Sequence, residues 1–203
     1  LLKVLSKSVA ELKYFVMEEG FLFSIGHGNK DVSELIEQLH HFNIEYLIDV
    51  RSVPYSKFHP QFNKEQLMHS INQIGNIKYV YMGDVLGGLP KDELCKTNGK
   101  MDYDKMKQRP VFQKGIQRLL VANEKKIKTC IMCSESNPAD CHRTKLIGEV
   151  LREHHINLLH ICTSHEKKII IKSQQEVINE ITKGNNLCDL FGNVTTFMSR
   201  NNY

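Results

Sequence analysis

The chain has 203 residues, of which 41% are apolar and 25% charged, with a formal net charge of +4 and an isoelectric point near 8.7. That length and balance are those of one soluble globular domain. Its basicity is compatible with phosphate-bearing ligands but too mild to establish nucleic-acid binding. No apolar run approaches the roughly 20 residues of a membrane-spanning helix, so no membrane partner is expected. Residues 1–20, LLKVLSKSVAELKYFVMEEG, show no secretory core and read as an N-terminal helical extension. Six cysteines in a chain without an export signal predict free thiols in a cytoplasmic setting.

FLFSIG (21–26) reads as a first strand, and Val32, Leu35, Ile36, Leu39 and Phe42 recur at helical spacing behind it, with Asp31 and Glu34 in capping-box positions. EYLIDV (45–50) is a second strand; Asn63 then caps a helix through Leu67, Ile71 and Ile74 that Gly75 ends. IKYVYM (77–82) is a third strand. Residues 87–109 are polar and rich in turn signals, and read as a long functional or mobile loop. A helix starts at Pro110. KIKTCIMC (126–133) is a fourth strand, a helix follows CHR, and INLLHIC (156–162) is a fifth strand. Beyond residue 163, KKIIIK suggests an edge strand and QQEVINEITKG a last helix. Alternation of strand and helix predicts a single α/β domain over 21–162 with a mostly parallel sheet of about five strands flanked by helices. Residues 163–203 form a C-terminal extension.

In an open parallel sheet, ligands bind beyond the carboxyl ends of the strands. Those ends deliver His27 and Asn29, Asp49 and Arg51, Gly83 and Asp84, and Cys133 and Glu135. In CSESNPADCHR (133–143), Cys130 and Cys133 imitate a C-x-x-C pair, but strand alternation sends them to opposite faces and makes Cys130 core. A zinc site from Cys133, Cys141 and His142 is conceivable, yet adjacent Cys–His ligands are awkward and a fourth ligand such as His27 is needed. No metal or other cofactor is therefore assigned. The favoured reading is an anion site in which Asp140 caps a helix whose first turn holds Cys141, His142 and Arg143. Its structural rival, Arg143 tying the loop down through Glu135 or Asp49, stands level with it. Six positions after Cys133 stands Ala139, so a C-x5-R phosphatase loop is absent. In DVRSVPYSKFHPQFN (49–63), Asp49 and Arg51 form either an acid–clamp pair or an ion pair that stabilises the loop. The loop's interleaved basic and aromatic residues fit a base-stacking surface. GHGNK (26–30) lacks the dinucleotide fingerprint, because position 31 is Asp.

Together SIGHGN, IDVRSVP, HPQFNKE, YMGDVLGG and CIMCSESNPADCHR resemble the domain of unknown function 488 family over about residues 21–162. The resemblance implies a single cytoplasmic α/β domain and says little about activity. The matching positions are Gly26, His27, Asn29, Asp49, Arg51, Pro54, Gly87, Gly88, Cys133, Glu135, Cys141, His142 and Arg143. Gly28 stands where Ser is typical, and Leu89 where Arg is common. The expectation is an enzyme acting on an anionic, phosphate-bearing substrate, plausibly a nucleotide or nucleic acid. Catalytic roles fall to His27, Asp49, Cys133 and Glu135, and anion binding to Asn29, Arg51, Cys141, His142 and Arg143. The rivals are a non-catalytic nucleic-acid-binding or regulatory module and a Cys/His metal protein.

Overall fold

The computed structural model describes residues 21–164, 166–185, 187 and 196–203. The helical extension expected over 1–20, and Cys188, lie outside the described residues. In chain order the elements are β1 (Leu22–Gly26), α1 (Val32–His41), β2 (Tyr46–Asp49), α2 (Lys64–Ile74), β3 (Lys78–Tyr81) and α3 (Gly83–Leu86). Next come β4 (Lys96–Thr97), β5 (Lys100–Asp102), α4 (Tyr103–Lys107), α5 (Pro110–Glu124) and β6 (Thr129–Cys133). A π-helical stretch, Arg143–Gly148, runs into α6 (Glu149–Glu153), followed by β7 (Leu159–Thr163), β8 (Ile169–Ser173), α7 (Gln174–Thr182) and β9 (Met198–Asn202).

The main sheet has the order β3-β2-β6-β1-β7-β8. Its first five strands are parallel, and β8 closes one edge antiparallel to β7. The sheet thus has six strands, because the KKIIIK segment joins it as the edge strand. Side chains alternate between two cores. Phe23, Ile25, Leu47, Cys130 and Met132 pack with Leu35 and Leu39 of α1 and Leu67 and Ile71 of α2. Leu22, Ile48, Ile131 and Cys133 pack on the other face with Phe112 and Ile116 of α5, Leu146 and Leu151. Each of these fully buried aliphatic side chains contributes about 1.5–3 kcal/mol by leaving water. Cys130 and Cys133 accordingly sit in different cores, as alternation requires.

Several local expectations need correction. Asp31 occupies the N-cap of α1 without a side-chain cap bond, so no capping box forms there. Asn63 sits at the N-cap of α2, but its Oδ1 accepts from the Ser56 amide at 2.7 Å and braces the preceding loop instead. Residues 87–109 are not one long loop: β4 and β5 form a hairpin whose turn residues, Asn98 and Gly99, have φ of 50° and 76°. Asn-Gly is the two-residue hairpin signal, and it stood in the sequence. β9 pairs antiparallel with β5, so the described C-terminal residues complete a small second sheet. Among the described residues no helix is long and apolar enough to cross a membrane.

Candidate functional site

Because β2, β6 and β1 are neighbours, their carboxyl ends deliver side chains a few ångströms apart. The backbone fixes the alignment: the His27 amide donates to Cys133 O and the Val50 amide to Met132 O, both at 3.0 Å.

On the β2 side, Asp49 is fully buried and grips Arg51 with both oxygens, receiving Nε at 2.9 Å and Nη2 at 2.6 Å. Tyr79 donates its hydroxyl to the same carboxylate at 2.7 Å. Arg51 Nη1 lies 3.3 Å from His27 Nε2, while His27 Nδ1 lies 3.0 Å from Gly28 O. The His27 ring stacks on Phe62 with centroids 4.3 Å apart. Burial, aided by the Arg51 charge, lowers its pKa to about 4. His27 is therefore neutral near pH 7, donating to Gly28 through Nδ1 and accepting from Arg51 through Nε2. Burial opposes charge on Arg51 as well, but the Asp49 bonds outweigh it and raise its pKa. Asp49 and Arg51 thus form a bidentate buried pair. Among the described residues, Nε, Nη1 and Nη2 of Arg51 each have a side-chain partner.

On the β6 side, Cys133 Sγ and Cys141 Sγ lie 2.9 Å and 3.3 Å from one oxygen, Glu135 Oε2. Each sulfur is also 3.8 Å from His142 Nδ1. Cys141 and His142 converge because the chain changes conformation between them. Cys141 is extended (φ −113°, ψ 148°) and His142 is helical (φ −64°, ψ −21°), so adjacent side chains aim at one point. Cys141 therefore precedes the helix rather than lying in its first turn, and the turn before it is capped by Asn137, not Asp140. Burial acts to raise the Cys141 thiol, but its hydrogen bond with Cys133 and the Arg143 and His142 charges hold it well below the ordinary range. Cys133 is pushed well up by that same bond and by burial. Burial also opposes charge on His142, and the Cys141 and Glu135 charges overcome it and raise its pKa. His142 Nε2 is buried with no partner among the described residues.

Arg143 lies inside the molecule, 1% exposed. Its Nη1 donates to Ile25 O at 3.1 Å and Glu135 O at 2.7 Å, and Nη2 donates to Ser136 O at 3.2 Å. It ties the 134–136 loop to β1 through backbone carbonyls, whereas sequence reasoning offered Glu135 or Asp49 side chains as its partners.

A cavity of about 140 Å³ opens over this edge, and its lining includes Arg51, Ser52, Cys133, Glu135, His142 and Arg200. Glu135 is half-exposed there, whereas His27 and Asp49 are buried behind Arg51. Asn29 does not share this cavity; with Lys30, Ser136 and Asn137 it lines a separate cleft beside β8. Sequence reasoning missed the C-terminal contribution: Ser199, Arg200, Asn201 and Tyr203 reach the cavity only because β9 pairs with β5. No spacing signal links them to Cys133.

The family described as Domain of unknown function DUF488 matches residues 31–151. The chain belongs to this family. Neither the curated proteins nor the solved structures gave a match. The DUF488 match covers Asp49, Arg51, Gly88 and the whole 133–143 segment, and it begins after His27 and Asn29. Two of the glycines that the resemblance singles out, Gly88 inside the matched span and Gly26 before it, have direct packing reasons. A Cβ on Gly26 would collide with the Glu135 carbonyl that Arg143 holds, and one on Gly88 would lie 2.8 Å from His142 Cγ. Gly88 thus lets the imidazole stand where it meets the thiols.

Proposed function

We propose that the protein is an enzyme acting on an anionic, phosphate-bearing substrate in the cavity at the carboxyl edge of the sheet, in a cytoplasmic setting. The observation that carries this reading is the joint lining of one cavity by Arg51, Arg200, Ser52, Glu135 and Cys133. Arg51 is held rigid by Asp49 and lines the cavity, which suits it to clamp an anion without reorganising. Arg200 is exposed and adds a second guanidinium to the lining. Glu135 and Asp140 both line the cavity, and Glu135, which stands beside the Cys133 thiol, takes the proton-transfer role; Asp49 and His27 act through Arg51 as positioning residues. Cys133, beside Glu135, is the thiol nearest the substrate space.

Isothermal titration with inorganic phosphate, pyrophosphate and nucleoside mono- and triphosphates tests the reading. Arg200→Ala and Arg51→Lys are expected to weaken binding at least about tenfold, roughly one guanidinium contact, with Arg200→Ala leaving the melting temperature unchanged. Wild-type affinity in Arg200→Ala, together with no binding of any of these anions by the parent, sinks it.

A non-catalytic nucleic-acid-binding module is the second reading, favoured by the loop before α2. Tyr55 is 62% and Phe58 91% exposed beside the cavity-lining Val53, an arrangement suited to base stacking. It requires binding of single-stranded DNA or RNA that weakens steeply with salt and with Phe58→Ala. Titration of a short oligonucleotide at two salt concentrations separates it from the enzyme reading.

A further inference from the structure

We infer that Cys133, Cys141 and His142 hold one zinc-class divalent ion, with the Glu135 carboxylate beside its fourth position. This site goes beyond the proposed function while sharing Cys133 and Glu135 with it, and metal content is read with no substrate present, so the two readings can fail separately.

The geometry is that of three corners of a tetrahedron. The three ligand atoms, two Sγ and Nδ1, lie within 4.8 Å of one another, and all three residues are buried. Zinc bonds of about 2.3 Å to sulfur and about 2.0 Å to nitrogen set S···N edges at about 3.5 Å and S···S edges at about 3.8 Å. Both observed S···N distances are 3.8 Å. Glu135 Oε2 lies 2.9 Å and 3.3 Å from the two sulfurs but outside the group whose ligand atoms are all within 4.8 Å of one another, so it borders the site and reaches a fourth position only by rotating. The S···N edges need to change only by tenths of an ångström to admit an ion. Two thiolates and an imidazole are a soft set that favours zinc over magnesium or calcium.

The sequence-level objections to a metal here lose their force. Adjacency of Cys141 and His142 is resolved by the extended-to-helical change between them. His27 is not available as a fourth ligand, because its Nε2 faces Arg51, and the position falls to solvent or to a rotated Glu135. The surroundings also suit a bound cation held by two thiolates. The Arg143 amide lies 3.5 Å from Cys141 Sγ, and its guanidinium fixes the Glu135 backbone. Glu135 is half-exposed at the cavity, so the fourth position beside it is the exchangeable one.

The test is elemental analysis of full-length protein purified with a cleavable tag free of histidine, in reductant and with zinc supplied, followed by cobalt exchange. About one zinc per chain is expected, together with thiolate-to-cobalt charge-transfer absorption. Cys133→Ser and Cys141→Ser should each lower metal content at least about tenfold, while Glu135→Gln weakens retention less. Cys162→Ser, a cysteine in the separate cleft, should retain the full equivalent. Should a cysteine variant fail to fold, the parent's metal content and cobalt spectrum still decide the matter. Metal-free parent protein without cobalt–thiolate bands overturns the assignment. So does a Cys133–Cys141 disulfide in the reduced preparation, or undiminished zinc in a folded Cys133→Ser/Cys141→Ser protein.

Discussion

Two buried histidines flank β1 and behave in opposite ways. His160 on β7 is closed: Nδ1 lies 2.6 Å from Ser24 Oγ and Nε2 2.9 Å from Gln174 Oε1. Gln174 Nε2 in turn donates to Thr144 O at 3.1 Å and Glu149 Oε1 at 2.9 Å, and Arg152 neutralises Glu149 from the surface. Every ring atom able to hydrogen-bond is partnered inside the fold, and burial lowers its pKa to about 3. His142 is open: its Nδ1 faces two sulfurs, its Nε2 has no partner among the described residues, and its edge borders a cavity. Burial alone therefore does not distinguish structure from chemistry. What distinguishes them is whether the surrounding groups complete one another or converge on a point that none of them fills.

The largest expected effect comes from breaking the strut between the two regions. Arg143→Ala removes the buried donor shared by the Ile25, Glu135 and Ser136 carbonyls and empties the space that its side chain fills, and should lower stability by on the order of 4 kcal/mol, read by urea denaturation. Arg143→Lys should rescue little, since one ammonium cannot span three carbonyls. A stability near the parent's would show that the guanidinium is free for ligand after all.

Acid separates the histidines next. His27 and His160 have folded pKa values of about 4 and about 3, below the ordinary 6.5. Below pH 6.5 the unfolded chain binds protons that the fold refuses. Their stabilisation is thus complete above pH 6.5 and falls as pH drops toward 4 for His27 and toward 3 for His160. The loss is on the order of 3 kcal/mol for His27 and larger for His160, whose folded pKa lies lower. The charges that bear on them are Arg51, His59 and Asp49 for His27, and Arg143 and Lys172 for His160. His160→Gln should flatten the acid limb of the melting-temperature profile; an unchanged limb would mean that His160 does not stay neutral.

Gln174→Ala opens the closed network and should cost about 1–3 kcal/mol, with zinc content untouched. Loss of metal in that variant would show that the two regions are coupled. The smallest effect is expected at Gly88→Ala, whose Cβ crowds the His142 ring. It should weaken metal retention roughly tenfold by tilting one ligand, with little change in thermal stability, as checked by chelator competition.

Much of the frame was legible as hydrophobic rhythm. The runs ending at Gly26, Asp49 and Cys133 gave strands whose tips meet, and the opposite facing of Cys130 and Cys133 followed from alternation. Cap chemistry was less legible: Asp31 and Asn63 carry the right residue types, but Asn63 found a better partner in Ser56. The hairpin at Asn98-Gly99 had a signal that the polar composition of 87–109 obscured.

From its residues alone the chain determined which segments become strand or helix and which reactive groups stand at strand ends, because periodicity and turn chemistry are local. Only the tertiary structure decided what those groups do. The order β2-β6-β1, the backbone switch between Cys141 and His142, and the pairing of β9 with β5 depend on contacts between distant segments. Those contacts turn Arg143 inward onto carbonyls, bring Glu135 to two sulfurs, and carry Arg200 to the cavity. Distance in space between such groups is a property of packing, which no spacing along the sequence encodes.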